Sequence, residues 1–536
     1  MSLPANSQPS PASSTHLAES VEKGATGQQE KEGPDVYNVE VDTSHVDERK
    51  LMRKIDLRLI PWLSLLYLLS FLDRTSIGNA KLYGLEQDLH MSDNQYLITL
   101  TIFFFPYALF EVPSNIFLKR LRPSIWLSGL MLLWGVMMTV QGLVHNYGGL
   151  LGMRWMLGTM EAGLFPGVNY YLSWQVHTRV PWYKRSEFGI RAAIFFSAAS
   201  VSGAFGGLLA AAIANMDGVG GKPAWAWIFI LEGLATVIAG AVSFFVIQDF
   251  PDTAHFLSEP ERTVVIRRLQ QDDQFSAAGE NLKVRNIWKS LTDWKTWIGM
   301  FVYVGSDMPL YAFSLFLPSI INQNNLALGF KATPANLLTV PVYAFACIMT
   351  CVVGFLADRL GRRGLFNIAL LCLGATGYII LIASKNAALS YVAVYLATCG
   401  IYPLIPNTVA WVSNNVEGSY KRSVTLAMVI SLGNINGAVS SNVYRARDKP
   451  WYHLGHGIVL VYIGIGLAAS STFYLLLRRE NARRDRGERD EVIDGEERKE
   501  SPEQREERAR LNGRFASVAD AKREKGDEWS GYRYIL

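Results

Sequence analysis

Seven ionisable side chains lie inside long apolar runs of this chain: Asp73, Arg74, Glu111, Arg154, Glu161, Glu232 and Asp307. An ionisable group at that depth is costly to bury and therefore marks a functional position by default. Asp73 and Arg74 are adjacent, so on a helix they point about 100° apart and each needs a partner on another helix. The bland alternative places both at the end of a span, with their heads reaching the interface. Arg154 and Glu161 are seven residues apart, about two helical turns, and face the same way. An acid above a base on one face suits coupled binding of a proton and an anion. A structural salt bridge is the alternative, stronger for Arg154 than for the deeper Glu161. Glu111 and Glu232 read as packing or gating groups. Asp307 reads as a further proton site or as a group near the outer end of its run. A carboxylate becomes tolerable in such a place when it takes a proton, and a group that changes protonation between two states can couple proton movement to a cargo.

The elements that must hold these groups are visible in the composition. Of 536 residues, 50% are hydrophobic and 18% charged, well below the roughly 25% charge of soluble domains. A membrane span needs about 20 apolar residues, and such runs occur at 59–80, 94–117, 124–145, 148–172, 190–213 and 225–247. Six more follow at 296–321, 335–357, 364–384, 388–411, 420–443 and 456–478. With the N-terminus in the cytosol, inside loops hold Lys119, Arg120, Arg122, Arg179, Lys184, Arg185, Arg359, Arg362, Arg363, Lys421 and Arg422. Most outside loops hold a single lysine (Lys81, Lys222, Lys331, Lys385), and only the last, with Arg445, Arg447 and Lys449, is richer. The bias predicts both termini inside.

This divides the chain into a disordered cytosolic N-terminal tail (1–55), a six-helix bundle (56–247), a cytosolic linker (248–295), a second six-helix bundle (296–478) and a charged cytosolic tail (479–536). The linker predicts one or two amphipathic surface helices. The Arg/Glu-rich tail reads as a solvated helix or disorder. The Ser/Pro/Glu/Gln-rich N-terminus has no apolar signal-peptide core. Cys347, Cys351, Cys372 and Cys399 have neither zinc nor disulfide spacing and read as packing residues. The net charge of +4 is not a nucleic-acid signal. There is no phosphate loop, metal cluster, cofactor motif or nucleophile motif, so an enzyme is not expected.

Residues 354–363 read Gly354-Phe-Leu-Ala-Asp-Arg-Leu-Gly-Arg-Arg363. Gly354 and Gly361 permit close helix approach and a tight turn. Asp358 can pair with Arg359, Arg362 or a neighbouring helix end, a contact that latches one state and breaks when two halves rock. As a bare topology signal, the same arginines hold a loop inside. The segment closely resembles the loop between the eighth and ninth helices of the major facilitator superfamily. The first-half counterpart, Asn115-Ile-Phe-Leu-Lys-Arg-Leu-Arg-Pro-Ser124, has Lys119 at the aspartate position, so a symmetric latch is not expected.

Four further stretches narrow the resemblance. They are Phe71-Leu-Asp-Arg-Thr-Ser-Ile-Gly-Asn-Ala80, Tyr107-Ala-Leu-Phe-Glu-Val-Pro-Ser-Asn115, Arg154-Trp-Met-Leu-Gly-Thr-Met-Glu-Ala-Gly-Leu-Phe-Pro-Gly167 and Trp227-Ile-Phe-Ile-Leu-Glu-Gly233 with Asp249-Phe-Pro-Asp252. Together they resemble the anion:cation symporters, and within them the fungal allantoate permease branch, nearest to nicotinate-type permeases. The loop at 176–182 is irregular for the signature, whereas Lys119 is a change this branch shares. The resemblance covers residues 50–480 and implies an all-α membrane protein of the major facilitator fold, with twelve transmembrane helices in two six-helix halves. It implies proton-coupled uptake of a small organic anion, nicotinate or a related carboxylate, by a monomer in the plasma membrane, with partners limited to that anion, protons and the lipid bilayer. Residue by residue, it implies proton coupling at Asp73 and Glu161, and substrate binding at Arg74, Arg154, Tyr107 and Asn434. For Asn434 a plain helix–helix hydrogen bond is an equal alternative. The gating loop is Gly354, Asp358, Arg359, Gly361 and Arg362. Two other functions remain open: an exporter of a fungal metabolite, disfavoured by the proline-free fifth span Ser202-Gly-Ala-Phe-Gly-Gly207, and a transporter-like nutrient sensor signalling through its tails.

Overall fold

The computed structural model describes residues 37–38, 40–173, 182–184, 187–270, 284–323, 332–417, 419–448, 451–495 and 500–536. Val41–Leu536 form one unit, built of helices apart from a two-residue parallel strand pair in the tail. The irregular loop at 176–182, most of the N-terminal tail and part of the linker lie outside the described residues.

The first helix, α1 (Glu48–Leu82), starts inside what reads from sequence as tail. Asp47 caps it, its carboxylate accepting from the Arg49 and Lys50 amides at 2.9 and 3.3 Å. A hydropathy window misses this start because charged residues crowd the first three turns, so residues 48–55 are corrected from tail to helix. Farther along, every residue from Phe71 to Ala80 is buried, as expected of a helix enclosed on all sides.

Next come α2 (Asp93–Arg120), opened by a Ser92/Gln95 capping box, and α3 (Pro123–Gln141). The fourth predicted span is two helices, α4 (Tyr147–Glu161) and α5 (Leu164–Ser173), broken just after Glu161. Close packing accompanies the break: a Cβ on Gly158 would lie 2.2 Å from Phe103 O, and one on Gly163 1.9 Å from Ser114 Oγ. Only glycine lets this segment lie so tightly on α2. Then follow α6 (Phe188–Ile213), α7 (Ala224–Val246) and two linker helices, α8 (Glu259–Gln270) and α9 (Val284–Thr292).

The remaining helices are α10 (Trp294–Gln323), α11 (Ala332–Leu360), α12 (Arg363–Ala383), α13 (Ala387–Ile401), α14 (Leu404–Asn414), α15 (Ser419–Ser440) and α16 (His453–Asp485). Helices thus overlie all the predicted spans. Among the described residues, nine are long and apolar enough to cross a membrane, and α15 carries a shorter apolar segment, Val424–Ser440. Large apolar side chains point outward from them, up to Phe245 at 83% exposed. A water-facing surface rarely shows such a coat, whereas lipid accepts it.

The charged C-terminal tail departs from its solvated reading. Its α17 (Pro502–Asn512) and α18 (Val518–Lys525) lead to a final segment seated on the helix ends. Ile535 O accepts from Trp411 Nε1 and from Asn415 Nδ2, both at 2.9 Å, and Tyr532 and Tyr534 carbonyls accept from Arg484 and Asn481. The docking groups are mostly backbone atoms, which composition cannot reveal.

Candidate functional site

Arg74 projects from the buried stretch of α1 to the end of α4. Its Nη2 donates to Glu161 Oε1 at 2.6 Å, and Ser70, one turn earlier on α1, donates to the same oxygen at 2.5 Å. Both charged side chains are at most 5% exposed. The break after Glu161 leaves that carboxylate at a helix end, free to turn to α1 rather than along α4. The expected stacking of Arg154 over Glu161 is therefore replaced by an α1–α4 ion pair, and the adjacent acid and base of α1 do find partners on different helices.

Four aromatic rings enclose the Arg74 guanidinium, with centroids 4.9 Å (Tyr107), 5.3 Å (Phe103), 5.5 Å (Tyr311) and 5.8 Å (Phe71) from its carbon. The rings supply a cation–π cage that excludes water and strengthens the local electrostatics. Arg74 Nη1 also donates to the Tyr311 hydroxyl. Tyr311 in turn donates to Asn434 Oδ1 at 3.0 Å, and Asn434 Nδ2 donates to Glu111 Oε2 at 3.4 Å. A continuous polar path thus runs from α1 through α10 and α15 to α2. Asn434 makes a helix–helix hydrogen bond and is also linked to Arg74. Glu111 belongs to this path. Asp307, 2% exposed with Oδ2 unpartnered, lies within the bundle and not at an accessible end.

Arg154 sits apart from this pair. Its Nε donates to Thr99 O at 3.4 Å, its guanidinium lies 5.4 Å from the Phe103 ring, and Nη1 has no partner among the described residues. The Phe103 ring is therefore a neighbour of both arginines. Asp73 points the other way, accepting from Trp134 Nε1 of α3 at 2.8 Å and Thr236 Oγ1 of α7 at 2.9 Å.

At the Gly354 loop, Asp358 pairs with Arg363 Nη2, and the Ile190 amide in the first turn of α6 donates to it. The expected partners Arg359 and Arg362 are both exposed, so the arginine is corrected to Arg363, while the neighbouring helix end is α6. Arg363 also donates to Asn407 Oδ1 at 3.1 Å, tying the loop to α14. A Cβ on Gly354 would lie 2.4 Å from Ala193 Cβ, and Gly361 takes φ +63°. These two glycines supply a close approach to α6 and a left-handed turn.

The Major Facilitator Superfamily model matches residues 63–441, which contain all of these groups. The chain belongs to the Major Facilitator Superfamily. An uncharacterized transporter of Schizosaccharomyces pombe is 34% identical over 84% of this chain and 89% of its own length. The high-affinity nicotinic acid transporter of Saccharomyces cerevisiae is 30% identical, covering 82% of this chain and 79% of that protein. A bacterial homologue of the human lysosomal transporter Spinster shares the fold, with a TM-score of 0.56 at 16% identity over 80% of this chain and 97% of that structure. The protein is thus a multi-pass membrane transporter of the superfamily. Among the described residues, no three His, Cys, Asp or Glu side chains converge as metal ligands. Sequence reasoning missed Tyr311, Trp134 and Thr236, which join the charged groups to one another or to other helices. All three are uncharged, so no charge inside an apolar run marks them.

Proposed function

We propose that this superfamily transporter is a proton-coupled importer of a small organic anion, nicotinate or a related carboxylate. The supporting observation is the buried Arg74–Glu161 pair, caged by aromatic rings and linked through Tyr311 to Asn434. Arg74 is the natural seat for a substrate carboxylate, and Glu161 occupies that seat in this state. A proton that forms an O–H bond on Glu161 removes its charge and releases the guanidinium to the incoming anion. One proton and one anion then replace an internal ion pair without leaving an isolated charge in the apolar interior. Arg154, two turns away with an unpartnered Nη1, is a second anion contact, and Tyr107 lines the same space.

This reading includes twelve crossings arranged as two six-helix halves, monomeric, with both termini in the cytosol and the protein in the plasma membrane. The latch at Asp358 holds one state of an alternating-access cycle around the Arg74 site. Membership of the allantoate permease branch is part of the same proposal, as the 30% identity with a nicotinic acid transporter supports. The test is uptake of labelled nicotinate and a panel of small carboxylates at two external pH values. Wild-type uptake is expected to rise with acidity, and Glu161→Gln is expected to lose that dependence. Uptake of nicotinate by Glu161→Gln with an unchanged pH response removes Glu161 from coupling.

A further inference from the structure

A second acidic cluster lies between α1, α3 and α7, on the side of α1 away from Arg74. Asp73 Oδ2 is held by Trp134 and Thr236, while its Oδ1 has no partner among the described residues. Glu232 is one turn before Thr236 on α7 and 1% exposed, and neither of its oxygens lies within hydrogen-bond distance of a donor among the described residues. The charged group that acts on it is Asp73, and Ser76 of α1 also faces it. The carboxyl groups of α1 and α7 and the indole of α3 therefore meet in the buried interior, and several of the carboxyl oxygens are unused among the described residues.

Among the described residues, no cation pairs with Asp73 or Glu232. The charged neighbour of Asp73, besides Glu232, is Glu161, which is already paired with Arg74. From α3 comes the neutral Trp134, and from α7 the neutral Thr236. Two facing carboxyl groups in an apolar interior cannot both carry charge without a counter-ion. Glu161 differs, because a guanidinium 2.6 Å away pairs with it.

We propose that Glu232 shares a proton with Asp73, the residue that the family resemblance already implies for proton coupling, in a site inside the first group of helices and separate from the anion seat at Arg74. A proton taken from water forms an O–H bond on one carboxyl group, which donates a hydrogen bond toward the other. Trp134 and Thr236 fix Asp73 as one wall of the site, and Glu232 supplies the other. The use of this proton in transport rests on the proton-coupled reading above, whereas the existence of the site does not.

The two questions separate in one set of experiments. Full-length protein in lipid nanodiscs is examined by infrared difference spectroscopy between acidic and alkaline buffers, in H2O and in D2O. The wild type is expected to show the C=O stretching band of a buried protonated carboxyl that shifts in D2O. Glu232→Gln and Asp73→Asn are each expected to remove it, and Trp134→Phe is expected to move it by taking away the N–H bond to Asp73. Gln and Asn keep the size of the native side chains, and Trp134→Phe leaves both carboxyl groups in place. A band that persists unchanged in both Glu232→Gln and Asp73→Asn overturns the proposal.

In proteoliposomes, one pH unit of gradient drives about tenfold accumulation per coupled proton. Glu232→Gln is expected to lose that factor for labelled nicotinate, and full retention of it removes the pair from coupling. If wild-type protein carries no nicotinate, the substrate reading fails while the infrared bands still decide the acid pair.

Discussion

The middle of the helical bundle and the end where the C-terminal tail docks both bury charge, in opposite ways. In the middle, five buried carboxyl groups (Asp73, Glu111, Glu161, Glu232 and Asp307) face two guanidinium groups, Arg74 and Arg154. Carboxylate oxygens of all five lack a partner among the described residues. At the tail, Lys295 pairs with Asp527 at 2.7 Å and with Asp293 at 2.9 Å, while Lys421 pairs with the same two carboxylates at 2.9 and 2.6 Å. Two cations and two anions close a square there, and Arg484 adds bonds to Asp527 O and to the Tyr534 hydroxyl, both at 2.9 Å. Balanced burial of this kind holds a shape. Surplus acid leaves groups whose charge must change with protons, the arrangement expected where chemistry occurs.

The sharpest way to break this contrast is to remove the cation on which the middle depends. Arg74→Leu strands Glu161 with no counter-ion, and loss of one member of a buried pair costs about 3–5 kcal/mol. Purified variant is expected to unfold at a markedly lower temperature, and cells expressing it are expected to lose nicotinate uptake. Arg74→Leu combined with Glu161→Leu removes both charges and is expected to regain most of the stability without regaining uptake. If the double variant transports, the pair is structural and the contrast between the two regions disappears.

Much of the middle is legible in the sequence because charge inside an apolar run is conspicuous. Asp73, Arg74, Arg154 and Glu161 all proved buried, and the glycines of the Asp358 loop sit where a turn and a close contact require them. Pairing is less legible. Arg74 and Glu161 are 87 positions apart, and their meeting depends on how α1 rotates and where α4 breaks. Spacing along one helix favoured Arg154 with Glu161, because a sequence shows neither rotation nor the glycine-mediated contact with α2. The tail was the least legible region. Its Arg/Glu alternation describes the exposed faces of α17 and α18, whereas docking uses Asp527, the Tyr532 and Tyr534 hydroxyls and backbone groups that every residue carries.

The tail gives the next largest effect. Burial alone would push the Asp527 carboxyl up, but Lys295 and then Lys421 hold it below its ordinary value. A carboxyl group with a depressed folded-state value stabilises the protein above its unfolded value of about 3.9, and the contribution is lost as pH falls through the folded value. Asp527→Asn is expected to destabilise the neutral-pH protein by about 1–3 kcal/mol, since Asp293 still offsets part of the lysine charge. It is also expected to flatten the acid limb of thermal stability measured from pH 7 downward. Equal acid sensitivity in variant and wild type removes the charge square from the account of this end. Uptake measured on the same variant then shows whether docking affects transport as well as stability.

A smaller change tests the contact between the Asp358 loop and α6. Gly354→Ala places a methyl group 2.4 Å from Ala193 Cβ, so α6 and α11 must separate. Overpacking of this kind costs about 1–3 kcal/mol. Because the strain lies only where the loop meets α6, the expected result is altered transport rate with modest loss of thermal stability. Combining it with Ala193→Gly opens space for the methyl and is expected to restore the rate. Failure of that rescue means the glycine is needed for something other than closeness.

The smallest effect belongs to charge that is neither surplus nor enclosed. Lys54 of α1 meets Glu261 of α8 at 2.8 Å, but the lysine side chain is 45% exposed. Water solvates both partners and salt screens them, so the pair contributes about 0–1 kcal/mol. Lys54→Ala is therefore expected to shift thermal unfolding slightly at low ionic strength, not at all in high salt, and to leave uptake and its pH dependence alone. The comparison with Arg74→Leu matters because both substitutions cut an ion pair between α1 and another helix. If Lys54→Ala proves as damaging as Arg74→Leu, enclosure is not what separates functional from structural charge in this protein, and position along α1 becomes the variable to test.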